Sequence, residues 1–326
     1  MSIISYLEAG RLALQAEMDR DATVWALGED LGRGGVFGQY HGLQDQFGAK
    51  RVVDTPISEA AIMGAAVGAA MMGTRPVVEM RFSDFALCAI DELVNQAAKA
   101  RFMFGGQTRV PMVAREPVGM WRASAAQHSQ SLESWYTHIP GLVVVMPSTP
   151  ADNRGLLASA IRSDDPVVYL EHKGLWPLEG EVPDGDHLTP IGFAATRTRG
   201  NDITVLSWSR MVHECVAAAG TLADDGIKAE VIDLRTLWPW DCETVMASVA
   251  RTSRVLIVHE AVQVGGFGAE LAAQISETMF SELSAPIARL GAPRTPIAYA
   301  PQLEAQVTIC AAQIEARIRK ILGVLY

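Results

Sequence analysis

Apolar runs and helix-like stretches alternate along the first part of the chain. Five short runs rich in Val, Ile and Leu predict buried strands, and three longer stretches predict helices between them. The predicted strands are Val24–Leu27, Pro76–Glu79, Val110–Ala114, Leu142–Val145 and Val167–Leu170, and the predicted helices are Ser58–Met72, Phe85–Phe104 and Ala151–Ile161. This alternation is typical of an α/β domain with a mainly parallel sheet and helices on both faces.

The second part of the chain shows the same alternation. Between the two parts, LEGEVPDGDHLTPIG at 178–192 is rich in Gly, Pro and acids and has no hydrophobic period. We therefore expect one domain over 1–190 and a smaller α/β domain over 191–326. The predicted strands of the second domain are Ile203–Ser207, Ala229–Leu234 and Arg254–His259, and its predicted helices are Met211–Ala223, Cys242–Ala250 and Ala269–Phe280.

Two stretches bear on a membrane or export signal. The first 21 residues mix Leu and Met with Glu, Arg and Asp, which predicts an amphipathic helix rather than a signal peptide. Ala60 to Gly73 has no charged residue, but these 14 residues are fewer than the ~20 that span a bilayer. We expect a buried helix there and no membrane partner.

Composition narrows the class of protein. The 326 residues are 49% hydrophobic, enough for two domains that each bury a hydrophobic core. The formal net charge is −10 and Lys and Arg form no block, so a nucleic-acid partner is not favoured. The four cysteines lie far apart without a C-x-x-C motif, which favours a cytoplasmic protein over a disulfide framework or a zinc site.

A single acid, Glu59, precedes the uncharged stretch, and the residues alone leave its role open. Acids in the first turn of a helix interact favourably with the macrodipole, and Ser58 is placed to be the N-cap. Gly64 and Gly68 leave one helix face almost bare, which favours close packing inside the fold or across a subunit interface.

Separate motifs occur in the order and spacing of one enzyme family. They are DTPISE at 54–59, FSDFALCAIDELVNQAAKARFMFGG at 82–106, AAQHSQSLESW at 125–135, PGLVVVMPSTPADNRGLLASAIRSDDPVVYLEHK at 140–173, VIDLRTLWPWD at 231–241 and GGFGAEL at 265–271. From about Tyr6 to the C-terminus, the chain resembles the β subunits of the thiamine-diphosphate-dependent 2-oxoacid dehydrogenases. The wording of several motifs is nearest to acetoin dehydrogenases, and pyruvate and branched-chain enzymes share most of them. The resemblance implies a transketolase-like pyrimidine-binding domain followed by a transketolase C-terminal domain.

The resemblance also implies roles for individual residues. Glu59 matches the glutamate that exchanges a proton with the aminopyrimidine ring of thiamine. Burial among alanines would strengthen its hydrogen bond to that ring. Ile57 belongs to the same cofactor-binding motif, and Phe85 matches the aromatic residue that stacks on the ring. His128 matches a histidine that assists transfer to the lipoyl group, whereas its polar neighbours alone are more typical of a surface or hydrogen-bonded structural histidine.

Family β subunits often hold a structural potassium ion with mostly carbonyl ligands. The matching positions are Met112, Ala160, Ile161, Ser163 and Asp165. Oxygen ligands fit a hard cation, although Ser163 stands where an acid is common. Arg81, Trp121 and Arg122 are candidates for tuning substrate preference or for solvated or paired surface roles.

Half of the expected cofactor site is absent from this sequence. Thiamine diphosphate is normally held through magnesium by a G-D-G motif, and this chain has only DGD, at 184–186 in the linker. The family supplies that half from an α chain, in an assembly of two α and two β chains, so magnesium is expected to be held mainly by α. The C-terminal domain is expected to dock a dihydrolipoyl acyltransferase core, whose lipoyl domain takes the acyl group of a small 2-oxo substrate.

Two other functions fit parts of the sequence. GGFGAEL follows a predicted strand and opens a predicted helix, as in nicotinamide-binding dehydrogenases, but Leu271 stands where the third glycine belongs. A non-catalytic β-like scaffold or regulatory chain is the other alternative. The presence of Glu59, Phe85 and His128 argues against it.

Overall fold

The computed structural model describes residues 1–324 and divides the chain into two units. The first unit contains Met1–Val118 and Trp135–Ile191, and the second contains Gly119–Ser134 and the chain from Gly192 onward. The second unit thus includes a short internal segment that a single linear boundary at residue 190 does not assign to it.

The first unit is built on a parallel sheet of six of its strands, in the order β6–β7–β5–β4–β2–β3. A separate antiparallel pair joins β1 and β8. The strands are β1 (Ser2–Ser5), β2 (Val24–Gly28), β3 (Val52–Asp54), β4 (Arg75–Glu79), β5 (Val113–Val118), β6 (Val143–Val145), β7 (Val167–His172) and β8 (Glu179–Val182). The helices are α1 (Tyr6–Arg20), α2 (Leu43–Phe47), α3 (Glu59–Met71), α4 (Ser83–Ala86), α5 (Ala98–Met103), α6 (Glu133–Thr137, which spans the boundary of the two units) and α7 (Pro150–Arg162).

The core of the first unit lies between this sheet and helices α1 and α7. Leu14 and Met18 of α1 and Leu156 of α7 are buried against strand residues such as Val77 and Val167. Each fully buried aliphatic side chain of this kind contributes ~1.5–3 kcal/mol. Both helices begin at a side-chain cap, as the Ser5 hydroxyl accepts from Glu8 N–H and the Thr149 hydroxyl accepts from Asp152 N–H.

Two elements of the first unit differ from the sequence-based expectation. Strand β5 lies three residues later than predicted, because Arg115 and Glu116, polar in the sequence, are buried inside it. The predicted helix Phe85–Phe104 is divided into α4, a 3₁₀ turn at Leu87–Ala89, a π-helical segment at Glu92–Ala97 and α5. A π segment rotates the buried face of a helix, which a search for a 3.6-residue period does not detect.

Helix α3 is half-buried, so the expectation of a buried helix is wrong for this chain. Ile62, Met63, Ala66, Val67 and Ala70 are buried. The opposite face, formed by Ala60, Ala61, Ala65, Gly68 and Met71, is exposed. Four of the five residues on this exposed face are small.

The second unit is a smaller α/β domain that contains the six predicted elements to within a few residues, together with three strands and two helices that were not predicted. Its sheet has the order β14–β13–β10–β11–β9, with β9 antiparallel to β11 and the other pairs parallel. The strands are β9 (Ala195–Thr198), β10 (Ile203–Ser207), β11 (Ala229–Asp233), β12 (Thr236–Trp238), β13 (Val255–Val262) and β14 (Ala288–Ala292). The helices are α8 (Met211–Asp224), α9 (Cys242–Thr252), α10 (Phe267–Met279), α11 (Pro301–Val307) and α12 (Ala311–Leu322).

Two general properties follow from the described part of the chain. None of its helices is both long and apolar enough to cross a membrane. All four cysteines are free, and Cys215 alone is buried.

Candidate active site

The loops that carry Ile57, Glu59 and Phe85 leave one edge of the parallel sheet of the first unit. β3 ends at Asp54, and Ile57 and Glu59 follow it. β4 ends at Glu79, and Phe85 lies in the next helix, α4. β3 and β4 flank β2 and run parallel to it. The structure therefore brings these three residues to the carboxyl edge of the sheet, where open parallel sheets bind their ligands.

Glu59 is the first residue of α3 and is half-buried. Ser58 occupies the N-cap position, but its side chain forms no capping hydrogen bond. Within residues 1–324, no side chain or backbone group hydrogen-bonds to the Glu59 carboxylate. Ile57, two residues before it, is 78% exposed. The start of α3 therefore presents a carboxylate without a hydrogen-bond partner in residues 1–324, two residues after an exposed apolar side chain.

Phe85 belongs to a small aromatic cluster. Its ring meets Phe82 edge to face, with centroids 5.4 Å apart and planes at 87°. Phe82 in turn contacts Phe37 at 6.0 Å, and the Lys173 ammonium lies 4.5 Å from the centroid of the Phe82 ring. These contacts fix Phe82, which limits the orientations available to the half-buried Phe85 ring.

Buried charges lie along strands β4, β5 and β7 of the same sheet. The Arg115 guanidinium, fully buried, donates to both oxygens of Glu171, one of them at 3.1 Å. Glu79 Oε2 lies 4.0 Å from Arg115 Nε and accepts from the Tyr40 hydroxyl at 2.8 Å, while Gln39 donates to the other oxygen at 3.1 Å. Burial raises the pKa of Glu79 to about 7, against the opposing effect of Arg115. One cation thus serves two buried carboxylates.

A second buried acid, Glu116, faces helix α6. Burial raises its pKa to about 8, and the charge of Asp84 adds to the shift. The Tyr136 hydroxyl donates to Glu116 Oε2 at 2.9 Å. Neither Glu79 nor Glu116 is among the site residues predicted from the sequence. The available signal was an acid inside an apolar strand run, as in VVEM and VAREPV.

Arg81 lies at the same carboxyl edge and is paired. Its Nε is 3.2 Å from Glu29 Oε2, and its Nη2 is 3.0 Å from Asp30 Oδ2. Arg81 therefore has a paired role in this chain.

His128 belongs to the second unit, within Gly119–Ser134. The residue is half-buried, and its N–H lies 3.5 Å from the carbonyl oxygen of Ala125. Arg122 lies over the ring of Trp121, 4.5 Å from its centroid, so these two candidates contact each other.

The carbonyl groups expected to bind potassium already accept hydrogen bonds. Arg75 Nη1 donates to the carbonyls of Ile161 and Ser163 at 3.1 and 2.7 Å. The Ala160 carbonyl accepts from Ser163 N–H at 3.2 Å, the Met112 carbonyl accepts from Val167 N–H at 2.9 Å, and the Asp165 carboxylate pairs with Arg101 at 2.8 Å. Carbonyl oxygens have a second lone pair, so this chemistry fits a hard cation. Arg75 nevertheless supplies a positive charge there.

The glycines of GGFGAEL serve packing rather than a dinucleotide. A Cβ atom on Gly266 would lie 2.7 Å from the His259 ring, and one on Gly268 would lie 2.8 Å from it. His259 is buried and stacks on Trp208, with centroids 5.3 Å apart and planes at 12°. The glycines leave room for this imidazole, which removes the structural argument for a nicotinamide site.

Comparison with known proteins assigns the family. The model of the transketolase pyrimidine-binding domain matches residues 2–179, and that of the transketolase C-terminal domain matches 192–314. A 2-oxoisovalerate dehydrogenase subunit beta of Bacillus subtilis is 44% identical over 98% of this chain and 99% of its own. An acetoin:2,6-dichlorophenolindophenol oxidoreductase subunit beta of Cupriavidus necator is 46% identical over 94% of both chains. A pyruvate dehydrogenase E1 component subunit beta of Porphyra purpurea is 42% identical over 99% of this chain and 98% of its own.

The chain therefore belongs to the β subunits of the thiamine-diphosphate-dependent 2-oxoacid dehydrogenases, a family of oxidoreductases. The expected two-domain fold is confirmed as well. A solved structure described as a split gene transketolase, inactive beta4 tetramer, superposes with a TM-score of 0.80 at 21% identity, over 98% of this chain and 99% of that one. Membership of a β-subunit family implies an α-subunit partner and thiamine diphosphate as the cofactor.

Proposed function

We propose that this chain and an α subunit together form the component that cleaves or decarboxylates a small 2-oxo substrate. The observation that carries the proposal is the Glu59 carboxylate, which has no partner within residues 1–324 and lies at the sheet edge that also carries Ile57 and Phe85. An accessible acid at the carboxyl edge of a parallel sheet is placed for a ligand.

The residues of this chain have separate tasks in the proposal. Bound thiamine diphosphate supplies the carbon nucleophile for the 2-oxo group. The Glu59 carboxyl exchanges a proton with a ring nitrogen of the aminopyrimidine. Phe85 packs against that ring, and Ile57 contacts it from the loop before α3. The α subunit holds the diphosphate through magnesium, since this chain has no G-D-G motif.

His128 acts after the cofactor has been activated. An imidazole donates a proton near neutral pH more readily than a hydroxyl or an amide does. We assign His128 the protonation of the dithiolane sulfur that is released when the S–S bond of the arriving lipoyl group breaks and the other sulfur takes the acyl group. The acyltransferase core that carries this domain docks on the second unit, in an assembly of two α and two β chains.

The experiment that tests the proposal compares the chain with and without its α subunit. The isolated chain should neither bind thiamine diphosphate tightly in calorimetry nor decarboxylate 2-oxo acids, and the reconstituted complex should do both. Micromolar binding by the isolated chain would contradict a cofactor site shared between subunits. A fully assembled complex inactive on every 2-oxo substrate would favour the scaffold alternative.

The substrate is proposed as a class. Relatives named for acetoin, 2-oxoisovalerate and pyruvate are 46%, 44% and 42% identical to this chain, a spread too narrow to select one of them. A panel of pyruvate, acetoin and branched-chain 2-oxo acids, ranked by kcat/KM in the complex, would assign the substrate.

Potassium and a cytoplasmic location complete the proposal. The potassium ligands would be Met112, Ala160, Ile161, Ser163 and Asp165, so the melting temperature of the complex should rise in potassium relative to sodium at equal ionic strength. Equal melting temperatures in the two salts would contradict a potassium site.

The four free cysteines fit a reducing compartment, and cell fractionation would test the cytoplasmic location.

A further inference from the structure

One carboxylate joins the two ends of the segment Gly119–Ser134, here called the His128 segment. Glu260 Oε1 accepts from the backbone N–H of Met120 at 2.9 Å and from the Ser131 hydroxyl at 3.2 Å. Close to these contacts, Gly119 N–H donates to the Gln130 carbonyl at 3.2 Å. The residues between Met120 and Ser131, including His128, therefore form a loop closed at its base.

Glu260 is itself held firmly. It lies in strand β13, in the sheet of the second unit, and is 8% exposed. Its second oxygen is 3.6 Å from Arg210 Nη1. Buried carboxylates of this kind need both a countercharge and hydrogen-bond donors, and here the His128 segment provides two of the donors.

A second anchor comes from the same part of the sheet. Glu133, near the end of the His128 segment, is buried and accepts from the Trp208 indole N–H at 3.2 Å. Trp208 stacks on His259, the residue before Glu260 in β13. Both anchors thus involve the adjacent residues His259 and Glu260 of β13.

The backbone between the anchors is held in an unfavourable conformation. Arg122, Ala123 and Ala125 have φ angles of 51°, 54° and 63°. Non-glycine residues rarely adopt this left-handed region, and they remain there only where surrounding contacts hold them. Without the anchors, the backbone on the N-terminal side of His128 would relax.

We infer that Glu260 is a positioning residue for His128. By fixing Met120 and Ser131, it keeps the strained loop closed and the imidazole in the place where acyl transfer requires it. The inference rests on the proposed role of His128. One part of the inference, that Glu260 keeps the loop ordered, can be measured without an activity assay.

The first test measures loop order in the assembled complex. Glu260→Ala should increase amide hydrogen exchange between Met120 and Ser131 and make the chain sensitive to trypsin after Arg122. Glu230→Ala is the matched control. Glu230 is also buried in the second-unit sheet and paired with an arginine, Arg251, but its other bond goes to Ser248 of α9. Unchanged exchange in Glu260→Ala, or an equal increase in Glu230→Ala, would overturn the inference.

The second test measures transfer. Glu260→Ala should lower kcat of the lipoyl-dependent reaction by up to ~10²-fold, the usual effect of a misplaced catalytic group. The KM for the 2-oxo substrate and the rate with ferricyanide should stay within about twofold, as expected of a loss confined to positioning. Glu260→Gln keeps an acceptor for Met120 and Ser131 and should recover most of the rate. Losses of the same size in all assays would overturn the positioning role.

Two further variants keep the outcome interpretable. In a His128→Ala background, Glu260→Ala should add no further loss, because residues that act through one another are not additive. Fully additive losses would overturn the inference. If Glu260→Ala does not assemble, Ser131→Ala removes one anchor alone and should produce a smaller increase in exchange. An unchanged lipoyl-dependent rate in His128→Ala would instead refute the proposed role of His128, while the exchange data would still decide whether Glu260 orders the loop.

Discussion

The Tyr136 hydroxyl donates a hydrogen bond of 2.9 Å to Glu116, and both side chains are fully buried in the first unit. Burial raises the pKa of Glu116 from 4.5 to about 8, and this hydrogen bond only partly opposes the shift. Near neutral pH the folded protein therefore holds a proton on Glu116 that the unfolded chain releases. Folding is consequently linked to pH through this group.

Replacing Glu116 should make stability less dependent on pH. A raised folded-state pKa favours folding most below the unfolded value of 4.5, and this contribution is lost as the pH rises to about 8. Glu116→Gln, neutral at every pH, should gain on the parent by about 1.4 kcal/mol per pH unit across that window and level off above it. The measurement is the free energy of unfolding as a function of pH. Parallel curves for parent and variant would show that Glu116 titrates normally.

Replacing the buried Arg115 should lower the free energy of unfolding, whereas Glu116→Gln should raise it. Arg115→Met leaves Glu171 and Glu79 in the core without their cation, and it should destabilise the first unit by on the order of 3–5 kcal/mol. The double variant Arg115→Met/Glu171→Met should lose less than the single one, because it removes a charge together with its partner. Denaturant unfolding of the two variants compares them directly. A double variant less stable than the single one would contradict this account.

These buried charges show where sequence reasoning succeeded and where it failed. Apolar alternation predicted both α/β units, because strands buried on both faces are continuous apolar runs. It misplaced β5 because Arg115 and Glu116 resemble loop residues in the sequence, although each has a buried partner, Glu171 and Tyr136 respectively. The assignment of the His128 segment to the second unit depends on contacts such as Met120 to Glu260, 140 residues apart, and no local pattern encodes such a pair.

The candidate site was likewise predicted only in part. The motifs predicted which residues to examine, and the sheet topology brings Ile57, Glu59 and Phe85 to one edge. The half-exposure of α3 was not predicted, because a run of Ala and Gly has the same hydropathy whether its own chain or another chain covers it.

Glu59 can be tested as an acid rather than as a helix-start charge. Glu59→Gln in the assembled complex should slow proton exchange at the cofactor by ~10²–10⁴-fold while leaving assembly intact. Glu243→Gln is the matched control, since Glu243 is an exposed acid in the first turn of α9 and shares only the macrodipole interaction. Exchange quenched by acid and measured by NMR separates the two variants. Equal rates of cofactor proton exchange in the two variants would mean that Glu59 acts only as a charge at the start of the helix.

The exposed face of α3 leads to a prediction about assembly. A Cβ atom on Gly68 would meet no atom within 4 Å in this chain, so Gly68→Leu should fold normally. Small residues on a helix face allow close approach of another backbone, and a leucine at the centre of that face would prevent it if a partner chain packs there. We therefore expect Gly68→Leu to leave the melting temperature of the isolated chain unchanged or slightly higher, since leucine has the higher helix propensity, and to abolish the complex with α in size-exclusion chromatography with light scattering. Gly220→Leu provides the control, because Gly220 is also an exposed helical glycine, in α8, and a Cβ atom on it would likewise meet no atom within 4 Å. That variant should assemble normally, and normal assembly of Gly68→Leu as well would show that no partner packs closely on this face of α3.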